Sequence, residues 1–316
     1  MSAECLSDRS ESDVIQYIAH RFASRVDGEI GIGDDGAVIH HASPLVAVAD
    51  AMVEDVHFSR AFSPAHAVGE KLVAVNASDI AAMGARPTRG LFTLSVPKSL
   101  QWSWARDLID GVAVGANKYG LSVIGGDVTA SPGPIALSFT LLGALHSDRP
   151  LRRDVARAGE QIYVTGTLGG AALGLVALQT GNPDPTSVPE SIQALHVPIA
   201  RIDEGAALAE WHGCHCAMDI SDGLLTDCAR LAQASNVDLL IEIDKLPMSR
   251  ELVAVGSEFE RCAITGGEDY ELLFTAFEQP PFPATAIGMV TQGSGKVRYS
   301  RDGVEVPAGS PGYSHF

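Results

Sequence analysis

Apolar residues recur along this chain at two periods, and the switches between them mark out its elements. Val14, Ile15, Ile18 and Phe22 trace one face of a helix that Ser10 and Asp13 would cap. Val38-Ile39 and residues 45–49 read as strands around a turn. Residues 65–83 form an alanine-rich helix, closed by Gly84 and Pro87. Residues 90–96 then read as a strand, 102–119 as a helix, 122–124 as a short buried strand, and 135–145 as a longer strand that closes a first unit.

The charged stretch 149–159, which contains Pro150, reads as a connector, so the domains expected are 1–148 and 149–316. Beyond it come a strand at 161–165, a helix at 171–179, a proline-rich loop at 181–189 and a helix at 200–211. A strand at 217–220, a helix at 224–234 and strands at 239–243, 272–275 and 287–290 complete the pattern. The first half is strand-rich beside long helices, which favours an α+β or mixed α/β fold over a doubly wound parallel sheet.

At 316 residues and 46% hydrophobic, the chain carries enough apolar mass for two cores. Its formal charge of −17 argues against a nucleic-acid partner, which would need a basic surface. Five cysteines without disulfide-like spacing, a polar acidic N-terminus and no long apolar run point to a cytoplasmic protein with no membrane span.

Charge alone serves solubility; the placement of these acids says more. Gly33-Asp34-Asp35-Gly36, Asp50, Asn76-Ala77-Ser78-Asp79, Gly125-Gly126-Asp127, Asp219-Ile220-Ser221-Asp222-Gly223 and Gly266-Gly267-Glu268-Asp269 each fall where an element should end. Glycine lets backbone approach a ligand closely. Converging carboxylates repel by roughly 4 kcal/mol per pair at 4 Å and an effective dielectric of 20. They therefore call for cations, and oxygen-only ligands select hard ones such as Mg²⁺, which is commonly shared with substrate phosphates. The pattern points to metal-assisted phosphate chemistry.

Each motif has a plainer alternative. Gly31-Ile32-Gly33-Asp34-Asp35-Gly36 satisfies a dinucleotide fingerprint in letters, but its two carboxylates would repel a pyrophosphate. Gly293-Ser294-Gly295-Lys296 is followed by Val297 where a P-loop needs Ser or Thr. The turn Gly166-Thr167-Leu168-Gly169-Gly170 reads as tight packing ahead of an anion cradle. In the Asp219-Ser221-Asp222 run, one acid and the hydroxyl would face a ligand while Asp222 could merely cap the next helix; capping needs only one of the three, so function is favoured. Lys71 and Asp79 share a helical face, which alone reads as a solvated surface, but Asn76 and Ser78 beside the acid in an otherwise apolar helix mark Asp79 as buried at a site. His212, Cys214, His215 and Cys216 lack the second pair of a structural zinc site.

Taken in order, these motifs resemble the thiamine-monophosphate kinase family, within the superfamily of aminoimidazole ribonucleotide synthetase, selenophosphate synthetase and a hydrogenase-maturation protein. The resemblance runs from Gly31 to Phe316. It rests on Gly31 to Asp35, Val56-His57-Phe58, the run NASDIAAMGA from Asn76, Gly125-Gly126-Asp127, MDISDGL from Met218, GGEDYE from Gly266, and Gly312-Tyr313. It implies that ATP and thiamine monophosphate give ADP and thiamine diphosphate.

By the same resemblance, Asp35, Asp50, Asp79, Asp127, Asp219 and Asp222 hold several Mg²⁺ ions. Gly126, Asp127, Arg153 and Ser221 contact the nucleotide, and His57, Glu268 and Tyr313 the thiamine substrate. A homodimer is implied, with N-terminal domains joined in a shared sheet or half-barrel. Val48 and Ala49 stand where the family often has Ser/Thr, Asp55 where it has glycine, and Ser314 where it has aspartate. A sibling enzyme is the first rival, but the reactive cysteines of selenophosphate synthetase and of the hydrogenase-maturation protein have no counterpart here. A catalytically inactive nucleotide- or thiamine-binding regulator would not need so many acids.

Overall fold

The computed structural model describes residues 37–41 and 43–307. The expected first helix, Asp35 with its glycine turn, and the terminal Gly312-Tyr313 lie outside the described residues.

Strands β1 (Ala37–His41), β2 (Ser43–Val53), β3 (Ala85–Val96), β4 (Ser122–Ala130) and β5 (Ala136–Leu145) form a five-stranded sheet in the order β1-β2-β5-β3-β4. All neighbours are antiparallel except β3 and β4. Helices α1 (Ala65–Ala82) and α2 (Trp102–Lys118) supply core to this sheet, burying Leu72, Val73, Ile80 and Leu108 in one cluster with Leu137, Phe139 and Leu141 of β5.

β4 departs from expectation. It runs nine residues rather than three, and every one of them is exposed, with Val128 at 75% and Ile124 at 58%. The valine and isoleucine signal is that of a strand, but at the sheet edge none of the described elements buries it. Gly126 belongs to the pairing: its φ is +151°, and a Cβ there would stand 1.6 Å from the Phe92 carbonyl oxygen. β5, by contrast, is interior, flanked by β2 and β3, so among the described strands of this sheet β4 is the apolar one left exposed.

The second sheet has seven strands in the order β12-β11-β8-β10-β6-β9-β7. These are β6 (Gln161–Val164), β7 (Cys214–Asp219), β8 (Val237–Glu242), β9 (Leu272–Ala276), β10 (Thr285–Gln292), β11 (Val297–Arg301) and β12 (Val304–Val306). Helices α3 (Gly170–Thr180), α4 (Pro189–His196), α5 (Ile202–Glu210), α6 (Leu224–Ser235), α7 (Arg250–Val255) and α8 (Arg261–Thr265) complete the unit. Helix α4 begins where a loop was expected to end, opened by Pro189 in its first turn. β11, β12, α7 and α8 are too short for their periodicity to stand out in sequence.

Helix α1 joins the halves. Ala81 and Ala82 at its end pack with Leu208, Ala209, Leu272 and Phe274 of the second unit. The helix is buried nearly all round, and its buried polar residues Lys71, Asn76 and Ser78 must find partners inside the protein.

Candidate active site

Those partners define the site. Seven residues are two helical turns, so Lys71 and Ser78 share one face of α1. Ser78 Oγ donates to Asp219 Oδ2 at 2.6 Å. Lys71 Nζ donates to Glu268 Oε2 at 2.6 Å. On another face, Asn76 Oδ1 accepts from the Asp50 amide at 2.9 Å and its Nδ2 donates to the Leu72 carbonyl at 2.9 Å. Asp79, three residues on from Asn76, is half-buried. Lys71 is only 4% exposed, so the solvated-surface alternative does not hold for it.

Asp219 ends β7, and the chain turns through Ser221 and Asp222 into α6. Asp222 does not cap that helix; Gly223 occupies the N-cap without a side-chain bond. Asp227, fully buried one turn in, accepts instead from the Ser221 and Asp222 amides at 3.1 and 3.0 Å. Arg230 then bridges Asp227 and Asp222. Against this turn lies residues 266–270, where the Glu268 amide donates to the Ser221 carbonyl at 2.7 Å. Gly267 makes the approach feasible, since a Cβ there would meet that same carbonyl oxygen at 2.5 Å. Glu268 and Tyr270 both take positive φ, 73° and 50°, which turns their side chains to the cleft and Asp269 away from it.

The acids feel one another. Burial first, then the charges of Asp219 and Asp222, push the Asp50 carboxyl up to about 6. Burial also raises Asp219, opposed by the Ser78 hydrogen bond and the Arg153 guanidinium. Burial and the charges of Glu268, Asp50, Asp219 and Asp222 drive the Tyr270 phenol well above its ordinary range. Asp50, Asp219, Asp222, Glu268, Tyr270 and Arg153 thus belong to one electrostatic neighbourhood. Among the described residues, no three His, Cys, Asp or Glu side chains form a group that could enclose a metal ion unaided. An oxygen-only set of mutually repelling carboxylates suits a hard cation that keeps waters and phosphate oxygens in its shell.

A cavity of about 500 Å³ opens beside this neighbourhood, between the two halves. Val56, Phe58, Phe62, Leu175, Val176 and Leu195 give it apolar lining, and His57, Lys71, Ser221, Asp222, Glu268 and Tyr270 polar lining. His57 Nδ1 accepts from the Val53 amide at 3.0 Å, which leaves its Nε2 to carry the proton. Asp55, where the family resemblance expects glycine, has φ +63°, a conformation that aspartate tolerates.

Gly126 and Asp127 are not brought to this cavity within the chain. Asp127 pairs across the sheet with Thr93, Ser138 and Ala51 in turn, three strand steps from β2. At about 4.8 Å per step that is roughly 14 Å from the Asp50 neighbourhood. Two other motifs are resolved. The Gly169 amide donates to the Asp269 carboxylate at 2.9–3.0 Å, so the chain's own acid fills that turn. Cys214 and Cys216 are buried in separate core clusters, and Arg149 reaches both His212 and His215, which disposes of a zinc cluster.

Sequence reasoning passed over Asp227, Arg230, Tyr270 and the pairing of Lys71 with Glu268. The GGEDYE run held Tyr270 in view. The other partners are set by tertiary contact and leave no local signal.

This chain, with its acid-lined cleft between two mixed sheets, belongs to the AIR synthase related proteins. Their N-terminal domain family matches residues 33–145 and their C-terminal domain family residues 157–300. Within that class the chain belongs to the thiamine-monophosphate kinase family. It is 34% identical to the thiamine-monophosphate kinase of Salmonella typhimurium, over 96% of this chain and 97% of that protein. It is 31% identical to that of Bacillus subtilis, over 97% and 99%. The solved complex of AaThiL with AMPPCP and TMP superposes with a TM-score of 0.88 at 34% identity, covering 100% of both chains. The hydrogenase maturation protein HypE in complex with ATP, at 17% identity, 98% and 95% coverage and a TM-score of 0.71, shares the fold.

Proposed function

We infer that this chain transfers the γ-phosphoryl group of ATP to thiamine monophosphate, giving ADP and thiamine diphosphate. The observation that carries the reading is the interdomain cavity whose polar wall, Ser221-Asp222 and Glu268, adjoins the buried Asp219 and the half-buried Asp50. Its apolar lining suits an aromatic substrate body, and its acidic neighbour suits metal-bound phosphates. A relative of matching fold and 34% identity is solved with AMPPCP and TMP, which supports both substrates.

The acceptor is a phosphate oxygen, largely ionised at pH 7 because its second pKa is about 6. No general base is needed, and the transfer is direct and in line. The protein's task is positioning and charge management. Asp50, Asp79, Asp219 and Asp222 would hold Mg²⁺, with Asp35 and Asp127 as further ligands; the ions supply neutralisation of the two polyanions. Arg153, Ser221 and Gly126 would meet the nucleotide, and His57, Glu268 and Tyr313 the thiamine substrate.

Residues 1–148 would form the metal-binding and dimerisation domain and 149–316 the α/β domain. The exposed edge strand β4, carrying Val123, Ile124 and Val128, supports a homodimer that covers it. The deciding experiment is ATP consumption with thiamine monophosphate, thiamine and aminoimidazole ribonucleotide precursors side by side. Turnover confined to the precursors would overturn the assignment in favour of a sibling enzyme.

A further inference from the structure

The cavity that takes the thiamine substrate is lined by Asp55, Asp222 and Glu268, and, among its described lining residues, Lys71 is the single Lys or Arg. Its two histidines add little positive charge. His57 uses Nδ1 as an acceptor, and burial followed by the Lys71 charge pushes the His196 imidazole below its ordinary range. Lys71 is buried on α1 and bonded to Glu268, whose amide is tied to Ser221 beside Asp222. The ammonium therefore stands at the polar wall, next to where an acceptor phosphate must lie to reach the metal-binding acids.

Thiamine monophosphate brings two opposite charges to this wall, a thiazolium cation and a phosphate that is mostly dianionic at pH 7. A carboxylate favours the first and repels the second. We propose that Lys71 is the specificity-determining residue that makes the enzyme require a phosphorylated acceptor. In the empty pocket its ammonium neutralises Glu268. With substrate bound, the thiazolium takes over the Glu268 carboxylate and Lys71 is released to the acceptor phosphate. Unphosphorylated thiamine can still satisfy Glu268, but it leaves Lys71 with no anion and presents a hydroxyl in place of an ionised nucleophile. Lysine suits this exchange because its three donors sit on a flexible stem as a compact point charge.

The assignment rests on the proposed kinase reaction, and its test separates the two. Binding of thiamine monophosphate and of thiamine is measured by calorimetry without ATP, alongside steady-state turnover. Lys71→Gln should lower kcat/KM for thiamine monophosphate about 100-fold, the scale of losing one charge-stabilising donor. It should weaken binding of the monophosphate while thiamine binding and the KM for ATP stay within about threefold. Lys71→Arg should restore most of the difference. Glu268→Gln should weaken thiamine and thiamine monophosphate alike. Should Lys71→Gln fail to fold with Glu268 left unpaired, Lys71→Met combined with Glu268→Gln removes both charges and is compared with Glu268→Gln alone. Parallel weakening of thiamine and its monophosphate in the Lys71 variants, or no weakening of either, would overturn the proposal and leave Lys71 a strut for Glu268. Absence of wild-type turnover with thiamine monophosphate would instead defeat the kinase reading, while the binding comparison would still decide Lys71.

Discussion

Ser78 and Asp219, 141 residues apart, meet at 2.6 Å with both side chains buried. The bond ties the helix that covers the first sheet to the strand end that opens the second, and it fixes one oxygen of Asp219. In the proposed site a cation would be ligated through this carboxylate. Ligating carboxylates held this way gain affinity from their outer-shell partner, and losing the partner typically costs 10–100-fold. Ser78→Ala should therefore weaken Mg²⁺ binding by about tenfold or more and lower stability by about 1.5–3 kcal/mol, the range for a hydrogen bond to a charged group. Mg²⁺ titration followed by thermal shift, with urea denaturation for stability, checks both. An unchanged Mg²⁺ affinity would make the bond purely architectural.

The acid neighbourhood gives a pH signature. Asp50 titrates near 3.8 when unfolded and near 6 in the folded protein, chiefly through burial and then through Asp219 and Asp222. A raised acid binds its proton more tightly in the folded state, so its stabilising contribution is complete below pH 3.8 and disappears as pH rises through about 6. Added Mg²⁺ should reverse the loss by neutralising the carboxylate. The Mg²⁺-induced rise in Tm should thus grow between pH 5 and about 7, and Asp50→Asn should flatten that dependence. A Mg²⁺ shift of equal size across the range would contradict the link.

Charge removal at Asp219 should separate folding from chemistry. Asp219→Asn keeps an acceptor for Ser78 and relieves repulsion on Asp50, so apo stability should hold or rise while transfer is lost. A loss of about 3 orders of magnitude in kcat is expected for removing one transition-state charge stabiliser of this kind. Activity comparable to wild type at saturating Mg²⁺ would remove Asp219 from the metal set.

Much of this arrangement was legible before any coordinates, and the reason is local. Asp219 ends β7 and Asp222 falls in the turn after it, as turn chemistry indicates, whereas Asp50 lies inside β2 and Asp79 inside α1, each three residues short of the end where the sequence placed it. Helix α1 was readable because its alanine-rich run is long and ends at Gly84 and Pro87. What escaped were facts of adjacency. Ser122 to Ala130 has the composition of a core strand, and only its place at the sheet edge makes it exposed. Asp227 looks like an ordinary first-turn acid, yet it holds two amides of the preceding turn. Lys71 would sit on a surface in an isolated helix; in the fold it is buried and meets Glu268 in the loop before β9.

The tail offers a separate check. Tyr313 lies outside the described residues, and the family resemblance assigns it to the thiamine ring system. Aromatic stacking is worth about 0.5–1.5 kcal/mol beyond burial. Tyr313→Ala should raise the KM for thiamine monophosphate several-fold and leave that for ATP unchanged, whereas Tyr313→Phe should be mild. If a chain ending at Pro311 shows an unaltered KM for thiamine monophosphate, the assignment fails.

Asp127 decides how the site is assembled. It sits on exposed β4, roughly 14 Å across the sheet from Asp50 at about 4.8 Å per strand. If β4 pairs with a second copy, Asp127 of one chain would serve the acids of the other. Val128→Lys, placing a charge on this apolar edge, should then shift the protein from dimer to monomer in light scattering and lower activity with it. Complementation is the sharper measurement. Asp127→Asn and Asp219→Asn proteins, each inactive alone, would regain about a quarter of wild-type activity after mixing and subunit exchange. Half the dimers would be mixed, and each would hold one site with both acids intact. Were both acids drawn from the same chain, every site would carry one lesion and mixing would restore nothing.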